Sequence, residues 1–202
     1  MIDPTVPTDE PLSPREAAYV ADLPEKTVQQ VIDRHEIEPV SGPGGGGQAR
    51  GVSYADLLYL RLRGTLDPWL TGQGRRMVRE ELRGYGPEAG YTLSVGPLSV
   101  DVEPAVRAVD ERIHQIREVK AVIVHDPEVL GGEPVVSGTR IGVYFLSELQ
   151  KQGAGTDELL EDYPSLTLHT LQAALTYARL YPRRGRPRRT PFTGGTVLRR
   201  RR

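Results

Sequence analysis

Cysteine is absent from the 202 residues of this chain, and histidine, phenylalanine, methionine and tryptophan are scarce. Without thiols the chain forms no disulfides, binds no metal through cysteine and offers no cysteine nucleophile. The four histidines are scattered, without the close spacing of a metal-ligand set. We therefore expect no metal and no cofactor.

Long apolar runs are also missing, since no stretch reaches the roughly 18 uncharged apolar residues of a membrane-spanning helix. The first twenty residues carry acidic residues and prolines where a signal peptide has an apolar core. These absences predict a soluble cytoplasmic protein that does not contact the membrane.

Catalytic constellations are lacking as well. The neighbouring acid pairs Glu80–Glu81 and Glu161–Asp162 face different sides of a helix, which is unsuitable for a shared site. His125 has no recognisable serine or cysteine partner, and we expect it to be structural. The glycine-rich GGEPVVSGTR lacks the Gly-Lys-Ser/Thr ending of a phosphate-binding loop. We expect no enzymatic activity.

Charge is distributed unevenly along the chain, although its net value is −1. Residues 182–202 contain nine arginines and no acid, whereas the remainder holds 17 basic against 27 acidic residues, hence −10. An acidic body repels a polyanion, so any DNA contact requires a local basic face or the C-terminal segment.

The first half of the chain reads as helices separated by one hairpin. Ser13 to Glu16 form a capping box with proline at the first helical position, and Pro24 opens a second helix with Val28, Val31 and Ile32 inside. Extended segments flank the glycine-rich tip 41–48 and predict a hairpin wing with a mobile tip. Ser53 caps a third helix ending at Gly64, and a fourth spans 71–82.

The second half adds a small hairpin over 91–102 and a helix from Pro104. That helix carries a seam suited either to its own domain or to a dimer partner: Val106, Val109, Ile113 and Ile116. A strand over 122–124 precedes three helices, at 143–152, 157–163 after a Thr156 cap, and 168–181 after a Thr167 cap. The last has a predicted inner face of Leu168, Leu171, Ala174, Leu175 and Ala178. The predicted fold is mainly α.

Residues 12–64 resemble the winged helix-turn-helix of MerR-type regulators, on LSPREAAYVADLPEKTVQQVIDRH, the wing and RGVSYADLLYLRLRG. The resemblance implies that the second helix enters the major groove and that the wing lies beside it. The DNA-binding residues would then be Glu25, Lys26, Thr27, Gln29, Gln30, Arg34 and, beside the wing, Arg50. The alternative is an ordinary solvated helix face.

Residues 124–182 resemble the bacterial domain-of-unknown-function family 433, most specifically in GGEPVVSGTRI. The resemblance implies a second helix-turn-helix and a similarity to antitoxins of VapBC-type pairs, whose toxins are PIN-domain ribonucleases. Arg140 either pairs with a carboxylate such as Glu133 or holds a phosphate. The third helix of this unit either contacts DNA through Thr167, His169, Thr170 and Gln172 or mediates dimerisation.

The C-terminal segment 183–202 has no helical period, and we expect it to be disordered, like residues 1–11. It could bind a toxin, act as a nucleic-acid arm or have no role. In a toxin complex its arginines would neutralise the carboxylates that hold Mg²⁺. The residues expected there are Arg183, Arg184, Arg186, Arg188, Arg189, Phe192, Val197, Leu198, Arg199 and Arg200.

The predicted organisation is a winged unit (12–88), a linking hairpin and helix (89–121), a family 433 unit (122–182) and the basic tail. The predicted function is a dimeric antitoxin that neutralises a PIN-type ribonuclease toxin and represses its own operon by binding operator DNA. The alternative is a stand-alone MerR-like regulator with a basic nucleic-acid-binding arm.

Overall fold

The computed structural model describes residues 11–41, 50–84 and 90–183. The helices are α1 Pro14–Ala21, α2 Glu25–Asp33, α3 Tyr54–Leu66, α4 Gly72–Arg83, α5 Glu103–Val122, α6 Val143–Lys151, α7 Thr156–Asp162 and α8 Leu168–Leu180. The strands are β1 Val40–Ser41, β2 Arg50–Gly51, β3 Thr92–Val95, β4 Leu98–Asp101, β5 Ile123–His125 and β6 Pro134–Val136. The mainly helical prediction is confirmed, with antiparallel pairs β1–β2, β3–β4 and β5–β6.

Helices α1 and α2 begin and end where the sequence chemistry places their boundaries. The Ser13 hydroxyl accepts a hydrogen bond from the Glu16 amide, and the Glu16 carboxylate accepts one from the Ser13 amide at 2.8 Å, as the capping box predicts. Asp22 ends α1 in a left-handed conformation with φ of 62°. Pro24 is the N-cap of α2, whose inner residues Val28, Val31 and Ile32 are buried as predicted.

The wing base and α3 follow. Val40 pairs with Gly51 and Ser41 with Arg50, which confirms the predicted hairpin. Residues 42–48 of the predicted tip, like residues 1–10, 85–89 and 184–202, lie outside the described residues. Helix α3 runs past Gly64 to Leu66, so the predicted stop at Gly64 is wrong. The ~1 kcal/mol cost of a helical glycine is outweighed by packing, since Leu66 lies against the core.

Helix α5 joins two hydrophobic cores. Its residues Val109, Ile113 and Ile116 lie in the first core, together with α1 to α4 and the β3–β4 hairpin, while Val119 lies in the second. It packs against α1, α3 and α8. The predicted seam is therefore used within the molecule, and Val106 is only half-buried.

The second core gathers β5, β6, α6, α7 and α8. Ile123 pairs with Val136 and His125 with Pro134, so the strand begins at Ile123, one residue later than predicted. Gly131 and Gly132, with φ of 66° and 82°, make the tight reversal between the strands.

Two details of this core differ from the sequence prediction. Helix α7 begins at Thr156, with Gly155 rather than Thr156 as its N-cap. Leu168, predicted inside, is 50% exposed, because it is the first residue of α8 and precedes the turn that faces the core. Across the described residues, no helix is both long and apolar enough to cross a bilayer.

Candidate nucleic-acid interface

The outer face of α2 presents a stripe of polar side chains. Lys26, Gln29, Gln30 and Arg34 are exposed and recur at intervals of three or four residues, which places them on one side of the helix. Val28, Val31 and Ile32 on the opposite side are buried in the first core, so the orientation of this stripe is fixed by packing. Glu25 and Thr27, also predicted to contact DNA, are half-buried at the start of the helix.

Glu25 is engaged within the protein. Its carboxylate accepts a hydrogen bond from Arg15 Nε at 2.9 Å, and Gln29 Nε2 donates to it at 3.4 Å. The Arg15–Glu25 ion pair joins the start of α1 to the start of α2. Glu25 therefore orients Arg15 and Gln29 at the edge of the stripe.

Arg50, on β2, is brought beside the C-terminal end of α2. Its guanidinium donates to the Asp33 carboxylate at 2.7 Å, and both side chains are exposed. The predicted wing arginine thus lies beside Asp33 at the C-terminal end of α2, where the ion pair offsets its charge. Asp33 was not among the predicted residues, because a contact across the intervening loop leaves no local sequence signal.

Arg79 connects α4 to the residues that follow α2. Its side chain is buried, donates to the Glu36 carbonyl, and forms ion pairs with Asp56 at 3.8 Å and Glu38 at 3.5 Å. Burial raises the pKa of Asp56 above its ordinary value, against the hydrogen bond from Ser53 and the charge of Arg79. These contacts hold α4 against the chain that leaves α2.

The predicted DNA-contacting residues on α8 are mostly in local contacts. The hydroxyls of Thr167 and Thr170 form the N-terminal cap of the helix, and His169 Nε2 lies 3.2 Å from a Glu118 carboxylate oxygen. Gln172 is exposed and lines a groove of about 730 Å³ between α5, α6 and α8. The adjacent α7 carries four exposed acids: Asp157, Glu158, Glu161 and Asp162. This surface is therefore electrostatically unfavourable for a polyanion.

Of the two roles expected for Arg140, the pairing with Glu133 is not formed. Glu133 pairs instead with Arg183, directly after α8, and within the described residues Arg140 is exposed without an ion pair. Arg183, the first residue of the predicted tail, thus contacts the module. The other predicted toxin-binding residues lie outside the described residues.

The two cores are joined at Glu16, a residue that sequence reasoning assigned only to a helix cap. One carboxylate oxygen accepts from Ser13, and the other accepts from Tyr181 at 2.6 Å and pairs with Lys120 at 3.0 Å. Burial opposes its ionised form, but the hydrogen bonds from Ser13 and Tyr181 and the Lys120 charge leave its pKa below the ordinary value. Burial and the hydrogen bond to Glu16 raise the pKa of Tyr181 above its ordinary value.

Tyr19 reinforces this junction beside a cleft of about 740 Å³ between α1, α5 and α8. The guanidinium groups of Arg112 and Arg179 lie 5.1 and 5.2 Å from its ring centroid. In the second core, His125 Nε2 lies 2.8 Å from the Tyr177 hydroxyl, a contact that supports the predicted structural role of His125.

Comparison with known proteins identifies the second core. Residues 123–178 match the family described as "Protein of unknown function (DUF433)", so this part of the chain is a DUF433 module. A curated relative named "Uncharacterized protein y4eO", from Sinorhizobium fredii, is 35% identical over 91 residues, which cover 45% of this chain and 41% of that protein. The chain thus spans less than half of that relative's length.

Two solved structures are similar in part. The crystal structure of a DUF433 member protein from Anabaena variabilis is 36% identical, with a TM-score of 0.30 over 38% of this chain and 75% of that chain. The X-ray structure of Rv2018 from Mycobacterium tuberculosis is 16% identical, with a TM-score of 0.36 over 83% of this chain and 98% of that chain. Both TM-scores are low, so the module is assigned from the sequence match.

Proposed function

We propose that this protein is a DNA-binding antitoxin: it represses its own operon through α2 and neutralises a PIN-type ribonuclease through its arginine-rich C-terminal segment. The observation that carries the DNA-binding half is the exposed stripe of α2, backed by a buried apolar face, with Arg50 beside its C-terminal end. A helix held in this way behind a preceding helix suits insertion into the major groove as a recognition helix.

The roles of the stripe residues follow from their chemistry. Gln29 and Gln30 are neutral donors and acceptors that can pair bidentately with adenine, whereas Lys26, Arg34 and Arg50 bind phosphates. Because one short helix reads few base pairs, the repressor acts as a dimer on a two-fold operator. The α5 seam is buried inside each copy, so the dimer uses another surface.

The antitoxin half is supported by charge. Residues 184–202 contain eight arginines and no acid, a composition suited to carboxylates clustered around Mg²⁺. The DUF433 module supports it only through the antitoxin resemblance seen in its sequence. The stand-alone regulator remains the second candidate, since the same basic segment also suits a nucleic-acid arm.

The DNA-binding half is tested by a mobility shift with the DNA upstream of the gene. We expect the Gln29→Ala, Gln30→Ala double variant to bind at least about 30-fold more weakly than the wild type, because each of the two bidentate base contacts contributes ~1–3 kcal/mol. Gln172→Ala, an exposed glutamine on α8, is the matched control and should bind normally. Equal loss in both variants, or no shift by the wild type at low salt, would refute this proposal.

The antitoxin half is tested by co-expression with the neighbouring gene product, followed by pull-down and a growth assay. Loss of retention and of growth rescue on deletion of residues 183–202, with operator affinity and its salt dependence intact, would support toxin binding. A shallower salt dependence of operator binding in the same deletion would favour the nucleic-acid arm instead. A neighbour that is neither toxic nor retained contradicts the antitoxin assignment.

A further inference from the structure

An exposed apolar patch lies on the DUF433 module. Leu130 and Phe145 are 54% and 48% exposed, and their side chains lie 3.4 and 3.8 Å from the position that a Cβ atom on Gly142 would take. The rings of Phe145 and Tyr163 meet edge to face at a centroid distance of 5.9 Å. These three side chains form one continuous surface. Leu130 also has φ of 49°, an uncommon conformation for leucine that keeps its side chain at this surface.

Exposed acidic residues flank the patch residues Leu130 and Tyr163 in the sequence. Exposed carboxylates precede Leu130 in the β5–β6 connection and precede Tyr163 at the end of α7: Asp126, Glu128, Glu161 and Asp162. Among the cations of the module, Lys151 is paired with Glu148 at 3.8 Å, and Arg140 is exposed without an ion pair to any described residue. We call the patch and these flanking acids the acidic–aromatic face.

One arginine at the start of the basic segment already contacts an acid and an aromatic ring of the same module. Arg183 pairs with the Glu133 carboxylate, and its guanidinium lies 5.6 Å from the ring centroid of Tyr144, which precedes Phe145 in α6 and faces another side of that helix. Arginine therefore meets both a carboxylate and an aromatic ring here, the combination that favours guanidinium groups. The chain continues from Arg183 into eight more arginines without an intervening acid.

We propose that the acidic–aromatic face binds residues 184–202 of the same chain, with arginines on its carboxylates and Phe192 on the apolar patch. The nine residues from Arg183 to Phe192 span up to about 30 Å, which is ample to cross the module. An external acidic partner must then displace this intramolecular contact, a consequence that rests on the proposed function. The contact itself does not depend on operator binding.

The test uses a fluorescent peptide with the sequence of residues 184–202 and full-length protein. In one variant all eight arginines of that segment are replaced by glutamine, which frees the face for the peptide. We expect this variant to bind the peptide at least about tenfold more tightly than the wild type, because the wild type's own segment competes at high effective concentration. A peptide with the same arginines replaced by glutamine should not bind.

The location of the binding site is tested in the variant whose eight arginines in residues 184–202 are replaced by glutamine. Phe145→Ala should weaken peptide binding about tenfold, whereas Leu168→Ala, which removes an equally exposed apolar side chain elsewhere, should not. Glu161→Gln with Asp162→Asn preserves side-chain size and should reduce the salt dependence of peptide binding. This second variant tests the same face even if Phe145→Ala disturbs folding.

Equal peptide affinity of wild type and glutamine variant, or peptide binding insensitive to both Phe145→Ala and the acid substitutions, would overturn the proposal. Operator binding is measured on the same variants and should be unchanged by Phe145→Ala. Failure of the face and failure of the α2 interface are therefore distinguished in one set of proteins.

Discussion

At the scale of single residues, Glu16 has the widest influence on the structure. It caps α1 through Ser13 and bonds Tyr181 at the end of α8, while Lys120 on α5 balances its charge. The side chain is only 4% exposed, so each partner compensates for lost hydration. Glu16, in the first turn of the helix pair proposed to bind DNA, is thus bonded to Tyr181, two residues before Arg183.

Replacing Glu16 with glutamine should lower the free energy of unfolding by about 2–3 kcal/mol, because the buried network loses its negative charge and one of its two acceptor oxygens. Urea unfolding monitored by circular dichroism measures this change. Glu81→Gln, on the exposed side of α4, is the control and should change the stability by less than about 0.5 kcal/mol. Similar values for the two variants would contradict the role assigned to Glu16.

The acid dependence of stability follows from the lowered pKa of Glu16. A carboxyl group whose pKa is lower in the folded state stabilises the fold fully above its unfolded value, near 4.5, and loses this contribution as pH falls through the folded value. Wild-type stability should therefore fall more steeply below pH 4.5 than that of Glu16→Gln. Parallel pH profiles of the two proteins would exclude this contribution.

At the scale of secondary-structure elements, α5 determines how the two cores meet. Ile113 is buried against α1 and α3 within one molecule, so Ile113→Ala should cost about 2–5 kcal/mol without changing the oligomeric state. Thermal unfolding and light scattering measure the two quantities. Dissociation of an oligomer by this substitution, at unchanged monomer stability, would show instead that α5 forms an intermolecular seam.

Elements whose boundaries depend on local chemistry were predictable from the sequence. The cap at Ser13, the proline at the start of α2 and the glycine reversal at Gly131–Gly132 all act within a few residues. Packing across long separations was not predictable. Tyr181 donates to Glu16, although the two residues are far apart in the sequence, and Glu133 pairs with Arg183 and not with Arg140. Contacts of this kind depend on the tertiary fold and produce no periodic pattern in the sequence.

The same distinction applies to the candidate site. The outward direction of Lys26, Gln29 and Gln30 follows from helical spacing opposite a buried apolar face, and the structure retains it. The engagement of Glu25 by Arg15 and of Arg50 by Asp33 required the fold. The hydroxyls of Thr167 and Thr170 cap the start of α8, so these groups are used within the helix and not for contacts outside it.

At the scale of the whole molecule, charge of opposite sign is separated along the chain. The α2 stripe carries Lys26 and Arg34, with Arg50 paired to Asp33 beside it, whereas α7 of the DUF433 module presents four exposed acids, and the eight arginines of 184–202 follow the module. This separation predicts that the molecule approaches a duplex with the α2 side and turns the module away. It also gives the basic segment an acidic surface on its own chain.

The measurement that tests the central claim most directly is the salt dependence of operator affinity for Lys26→Gln, Arg34→Gln. If both cations bind phosphates, the slope of log affinity against log salt should become shallower by about 2, since each phosphate contact contributes about 0.9. A variant with Arg140→Gln and Lys151→Gln on the module is the matched control and should keep the wild-type slope. An unchanged slope in the α2 variant, or a reduced slope in the module variant, would contradict DNA binding through α2.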